Sequence, residues 1–95
     1  LAAYFMAEVT VTNLDGYDAY RVQVPPTIEK FGGRVVTRAG KVVGLEGPDA
    51  PERLIIIEFD DMDALKRWYE SDDVKPLNAL RKQVSNSRAI AFEGV

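Results

Sequence analysis

The stretch Leu54-Ile55-Ile56-Ile57-Glu58-Phe59 restricts the fold of this 95-residue chain more than any other. Successive side chains of a strand point to opposite faces, so a run of branched aliphatic residues puts apolar surface on both sides. Arg53–Phe59 therefore reads as a strand covered on both faces, inside a sheet and flanked by other strands. Neither this run nor the apolar start Leu1–Ala7 approaches the ~20 residues that a membrane-spanning helix needs. At 95 residues there is material for one modest core, so residues 1–95 are expected to form a single domain.

The other segments supply what this strand requires. Ala3–Thr12 alternates, with Phe5, Ala7, Val9 and Val11 on one side and Tyr4, Met6, Glu8 and Thr10 on the other. Tyr17, Tyr20, Val24, Ile28 and Phe31 recur at helical steps after a cap at Asn13 or Asp15. Pro25-Pro26 interrupts that helix and predicts a kink near Val24, because proline removes a donor and clashes with the preceding turn. Gly32-Gly33 ends it, with one glycine left-handed. Arg34–Arg38 reads as a strand, Ala39-Gly40-Lys41 as a turn or bulge, and Val42–Glu46 as a continuation in strand. Asp60 or Asp61 opens a helix carrying Met62, Leu65, Trp68 and Tyr69. Ser71-Asp72-Asp73 breaks it, and a further helix presents Val74, Leu77, Leu80 and Val84. Asn86–Glu93 reads as the last strand.

The order β-α-β-β-α-β predicts an α+β ferredoxin-like plait, an antiparallel sheet with both helices on one face. The other face is expected to carry Met6, Glu8, Leu54, Ile56, Glu58, Ala89 and Ala91, together with Arg34, Val36 and Arg38. That mixture is too apolar for water, and a second copy packed sheet against sheet about a two-fold axis is the economical cover.

Composition removes whole classes of function. Twelve Lys+Arg against fifteen Asp+Glu gives a net charge of −3, which argues against nucleic-acid and membrane-surface partners. Cysteine and histidine are both absent. Thiolate metal sites, iron–sulfur clusters, Cys nucleophiles, Ser-His-Asp triads and proximal-His haem ligation are thereby excluded. Asp60-Asp61 and Asp72-Asp73 do not fit a calcium loop, so no metal and no cofactor is expected. No targeting segment is visible, and a cytoplasmic location is the expectation.

Tyr17-Asp18-Ala19-Tyr20, Gly32-Gly33-Arg34, Arg38-Ala39-Gly40, Glu46-Gly47, Arg53–Phe59, Trp68-Tyr69-Glu70-Ser71, Leu80-Arg81 and Ser87-Arg88 follow one another in a familiar order. Together they resemble the DUF1330 family of the dimeric α+β barrel superfamily, nearly end to end. The resemblance implies a ferredoxin-like protomer and a barrel-forming homodimer. It implies no reaction, because that superfamily includes cofactor-independent monooxygenases, lactone isomerases, haem-binding enzymes and stress-responsive domains.

Glu8 and Glu58 are the candidate catalytic residues, since a carboxylate in an apolar cavity is raised toward general acid–base work. The alternative is an ion pair with Arg34, Arg38 or Arg88. Arg34 and Arg38, placed on one strand face, are candidates for gripping an organic anion, or else ordinary edge charges. Trp68 is a candidate ligand contact that also has the spacing of a core anchor. Ser71 is a candidate ligand contact that also suits a helix cap, and it has no histidine to activate it as a nucleophile. Two functions remain open. One is a small organic acid or aromatic compound bound or transformed in the barrel, with Glu8, Glu58 and Arg38 among Met6, Ile56 and Trp68. The other is a non-catalytic dimeric binding or stress-response module.

Overall fold

The computed structural model describes residues 1–38 and 40–95. The elements follow the chain as β1 (Ala3–Val11), α1 (Leu14–Arg21), α2 (Val24–Lys30), β2 (Arg34–Arg38), β3 (Arg53–Phe59), α3 (Met62–Tyr69), α4 (Lys75–Val84) and β4 (Ser85–Glu93). The strands pair antiparallel in the order β2-β3-β1-β4. This is the ferredoxin-like α+β plait, with each helical crossover divided in two. β3 lies between β2 and β1, as its two apolar faces demand.

Both divisions have local causes. Pro25 and Pro26 cannot donate to the preceding turn, so the helix stops at Arg21 and restarts with the prolines in the first turn of α2. The second break is held by Ser71, whose Oγ donates to the Trp68 carbonyl at 2.7 Å and accepts from the Val74 amide at 3.3 Å. The starts of α1 and α3 are capped by short acceptors: Asn13 Oδ1 takes the Gly16 amide at 3.0 Å, and Asp61 Oδ1 takes the Ala64 amide at 2.8 Å. Gly32 adopts φ 78°, the left-handed residue that ends α2. At Gly33 the reason for glycine is space, since a Cβ would meet Phe59 Cε1 at 2.6 Å.

The core lies on the helix side of the sheet. Phe5, Ala7 and Val9 of β1 and Ile57 and Phe59 of β3 pack under Ile28, Leu65, Trp68 and Leu77 of the helices. Trp68 is its centre, 1% exposed. Phe5 meets it edge-on at 5.1 Å between ring centroids, and Phe59 packs on it at 5.3 Å. Its indole N–H donates to Thr27 Oγ1 at 3.0 Å, so the polar end of the ring is satisfied inside the core.

Four expectations are corrected. Val42–Glu46 is not a strand: residues 40–52 run without regular structure, because Gly40, Gly44, Gly47, Pro48 and Pro51 punctuate them too closely for a ladder. The neighbouring turn at Ala39-Gly40-Lys41 includes Ala39, outside the described residues. Ala89 and Ala91 pair with Ala7 and Phe5 and belong to the helix-side register, so β4 gives the open face Arg88, Ile90 and Phe92 instead. The phase is set because β4 follows α4 with no connecting residue, and Ser85 enters the strand already buried. Arg34 and Arg38 do not share a face. A bulge between Val35 and Thr37 places two residues opposite one, so Arg34 pairs with Glu58 on the open face while Arg38 pairs with Ile55 on the helix side. Val36, expected on the open face, is the residue displaced by that bulge. In α4 the buried stripe runs through Arg81, with Leu80 half-buried beside it.

The open face is organised in rows across the strands. Thr37, Ile56, Met6 and Ile90 form an apolar middle row. Arg34, Glu58, Tyr4 and Phe92 form the row on one side, and Leu54, Glu8 and Arg88 the row on the other. No element among the described residues covers it.

Candidate functional site

The core does not fill the space beneath β2 and β3. A cavity of about 320 Å³ lies between the helix-side face of these strands and the helices. Its wall is apolar at depth, where Phe5, Ile28, Ile57 and Trp68 contribute, and all four are buried. Its polar rim is rich in guanidinium: Arg21 of α1, Arg38 of β2 and Arg53 of β3 all line it. Arg21 and Arg38 are exposed, which places the mouth at the β2 edge of the sheet, beside α1. Asp18 is the one carboxylate among the lining residues, and Arg21 Nε holds it at 2.9 Å. Arg53 leans on Tyr17, its guanidinium 5.0 Å from the ring centroid, and reaches Glu52 at 3.8 Å. Arg38 has no carboxylate within ion-pair distance among the described residues.

The six candidates from the sequence fall in three places. Arg38 and Trp68 come together in the cavity. Glu8, Glu58 and Arg34 lie on the opposite face of the sheet. There Glu58 accepts from Arg34 Nε at 2.9 Å and from the Tyr4 hydroxyl at 3.2 Å, and Arg88 Nε meets Glu8 at 3.2 Å. Arg34 also reaches Asp60 at 3.2 Å. The arginine facing Glu58 is thus Arg34, not Arg38. Ser71 is spent on the turn between α3 and α4. A site combining Glu8, Glu58, Met6 and Ile56 with Arg38 and Trp68 is therefore divided by the sheet itself.

Tyr17 and Tyr20, whose helical spacing suits either core anchors or an aromatic supply for a pocket, are core residues that line the cavity as well. The cavity also uses residues that sequence reasoning did not select. Arg21 and Arg53 follow from the register of their elements. Asn78 lines it from α4, and its signal was available: Asn78 and Arg81 stand four and seven residues after Val74, on the inward stripe of a helix. A polar residue at an inward position is the informative exception.

Burial holds the Tyr17 phenol above its ordinary pKa, with the neighbouring Tyr20 adding to the rise and Arg53, Arg81 and Arg21 opposing it. The fold thus favours the neutral phenol. Its contribution to stability is complete below the unfolded value near pH 10 and is lost as pH rises through the higher folded value. Thermal unfolding followed from pH 9 to 11 should show this loss in the wild type and a shallower decline in Tyr17→Phe. Equal slopes would contradict it.

A four-stranded antiparallel plait with its helices on one face and a cavity between the layers defines an α+β protein of the ferredoxin-like class. Solved structures share it. A protein of unknown function from Rhodopseudomonas palustris superposes with a TM-score of 0.78 at 18% identity, over 99% of this chain and 82% of that one. SnoaB, a cofactor-independent oxygenase from Streptomyces nogalater, gives 0.66 at 15% identity, over 99% and 93%. A protein from Mycobacterium tuberculosis gives 0.63 at 14% identity, over 100% and 96%. At these identities the likeness carries the fold alone. No curated protein matches the chain. The chain belongs to the DUF1330 family, a domain of unknown function, whose model matches residues 2–95.

Proposed function

We propose that the protein binds a small, largely apolar organic acid in the cavity between sheet and helices. The observation that carries this reading is the rim: three arginines and one already engaged carboxylate around an apolar space of about 320 Å³. That volume is in the range of small-molecule sites. Arg38 is the anchor, because its guanidinium stands at the mouth without a carboxylate of its own and matches a carboxylate bidentately. Phe5 and Trp68 provide an aromatic floor for the ligand body. The structural likeness to a cofactor-independent oxygenase is compatible with chemistry on such a ligand. Glu8 and Glu58, however, lie across the sheet from the cavity and are not its acid–base groups.

The same reading includes a homodimer. The middle row of the open face, with Ile56, Met6 and Ile90, is apolar and uncovered, and charged residues flank it on both sides. A second copy placed on it by two-fold symmetry offers a matching apolar row, and the interface expected of such a pair is about 2,000 Å² or more. Among the described residues no helix is long and apolar enough to cross a membrane.

Isothermal titration with 4-isopropylbenzoate tests the cavity. Saturable binding is expected, and Arg38→Gln should weaken it by about 10-fold or more, the usual value of a charged hydrogen bond. Absence of binding by this probe and by other aryl and alkyl carboxylates would overturn the reading.

A further inference from the structure

The strongest unassigned feature is a pair on α4. Arg81 is 3% exposed, yet among the described residues no carboxylate lies within ion-pair distance of it. Its guanidinium donates instead to neutral groups: Nη1 to Asn78 Oδ1 at 3.0 Å and Nε to Ser87 Oγ at 3.3 Å. It also rests over the Phe5 ring, 5.9 Å from the centroid.

This fixes the orientation of Asn78. A guanidinium has donors only, so the carboxamide must turn its oxygen to Arg81. The amide nitrogen then faces the other way. Asn78 is 7% exposed and lines the cavity. No acceptor among the described residues meets Nδ2, and no buried side-chain polar atom there is left without a partner. Nδ2 is therefore not sealed in the core, and the cavity is a space that Asn78 lines. Arg81 further polarises the amide, since its charge, uncompensated in a low-dielectric setting, strengthens the donor it holds.

We infer that Asn78, oriented by Arg81, is a ligand-binding donor on the α4 wall of the cavity, selecting ligands that carry an acceptor oxygen (a ketone, enolate or phenolate) in addition to the carboxylate at the mouth. This rests on the cavity being a small-molecule site. Asn78 contacts the ligand, and Arg81 is a positioning residue that acts through it. A buried donor discriminates strongly, because a ligand lacking the acceptor leaves the amide desolvated and unpaired. The site thus takes a two-headed organic acid: an anion at the rim, a carbonyl-type oxygen within, and an apolar body between them.

The test is a comparison of near-isosteric probes by calorimetry, 4-acetylbenzoate against 4-isopropylbenzoate, on wild type and Asn78→Asp. The two ligands differ by an acceptor oxygen in place of a methyl. Asn78→Asp keeps the shape, gives Arg81 an anion and replaces the donor with an acceptor. The affinity ratio, acetyl over isopropyl, should fall by about 10-fold or more in the variant, the value of a lost hydrogen bond with its repulsive replacement. Taking the ratio cancels any general repulsion of carboxylates. Asn78→Ser provides a second variant in which the reach of the donor is lost without a new charge, and the ratio should fall there too. An unchanged ratio in both variants, with both probes binding, overturns the role of Asn78 while leaving the cavity as a binding site. Failure of both probes, and of the other aryl and alkyl carboxylates, to bind wild type overturns the binding reading itself, and this inference with it.

Discussion

Trp68→Ala should lower the unfolding free energy by about 3–5 kcal/mol, the cost of deleting a large buried ring and leaving a partly collapsed void. The ring touches both central strands through Phe5 and Phe59 and bonds α2 through Thr27. Its removal therefore loosens three elements at once. Domains of this size hold about 5–15 kcal/mol in total, so the loss is a large fraction of the stability. Urea unfolding should show a lower midpoint at an unchanged slope. Trp68→Phe keeps most of the ring contact and loses the indole N–H, and should cost about 1–2 kcal/mol, near that of one buried hydrogen bond. A loss below about 1 kcal/mol for the alanine variant is the range of surface changes and would remove Trp68 from the core.

If the proposed homodimer forms through the open face, Ile56→Glu should convert it to a monomer. Ile56 stands in the middle row of the open face, between Thr37 and Met6, so a two-fold axis through this face brings two copies of the substitution close together. A buried charge without a partner costs about 3–5 kcal/mol, and here each dimer would carry two. The dissociation constant should rise by about 100-fold or more. Sedimentation equilibrium at micromolar concentration reads the change directly. Wild type should also show a melting temperature that rises with protein concentration, as coupled association requires, and the variant should not. A wild type that sediments as a monomer at these concentrations would sink the dimer. Because Ile56 points away from the core, the variant monomer should still fold.

Much of the architecture was legible because period and punctuation are local. The double-faced Leu54–Phe59 run identified a central strand, and Pro25-Pro26 and Ser71–Asp73 marked the helix breaks where they occur. The helical stripes through Tyr17 and Trp68 identified the core. What failed were questions of phase and partner. Ala89 and Ala91 are small enough for either face, and only pairing to Ala7 and Phe5 decides. Val42–Glu46 has the composition of a strand, but the glycines and prolines around it keep it out of the sheet. The inward position of Arg81 was not legible from residue type, because arginine is usually exposed and only its neighbours Asn78 and Ser87 make its burial tolerable. The candidate site was half legible for the same reason. Arg38 and Trp68 were named, but the sheet face that Arg38 occupies depends on one irregularity in β2.

That irregularity is a question of parity. In a regular strand, residues an even number of positions apart always look the same way, and Arg34 and Arg38 are four apart. The extra residue at Val36 makes the count odd, so a single short edge strand serves two compartments with the same side-chain type. Arg34 belongs to the ion pairs of the open face, and Arg38 belongs to the cavity mouth. Length and irregularity are therefore tied together in this strand. Ironing out the bulge at unchanged length would carry Arg38 through the sheet, away from the cavity mouth and onto the open face. Losing one residue together with the bulge would leave a regular strand with the two arginines three apart and still on opposite faces, so the strand can lose Val36 but cannot keep five residues without the irregularity.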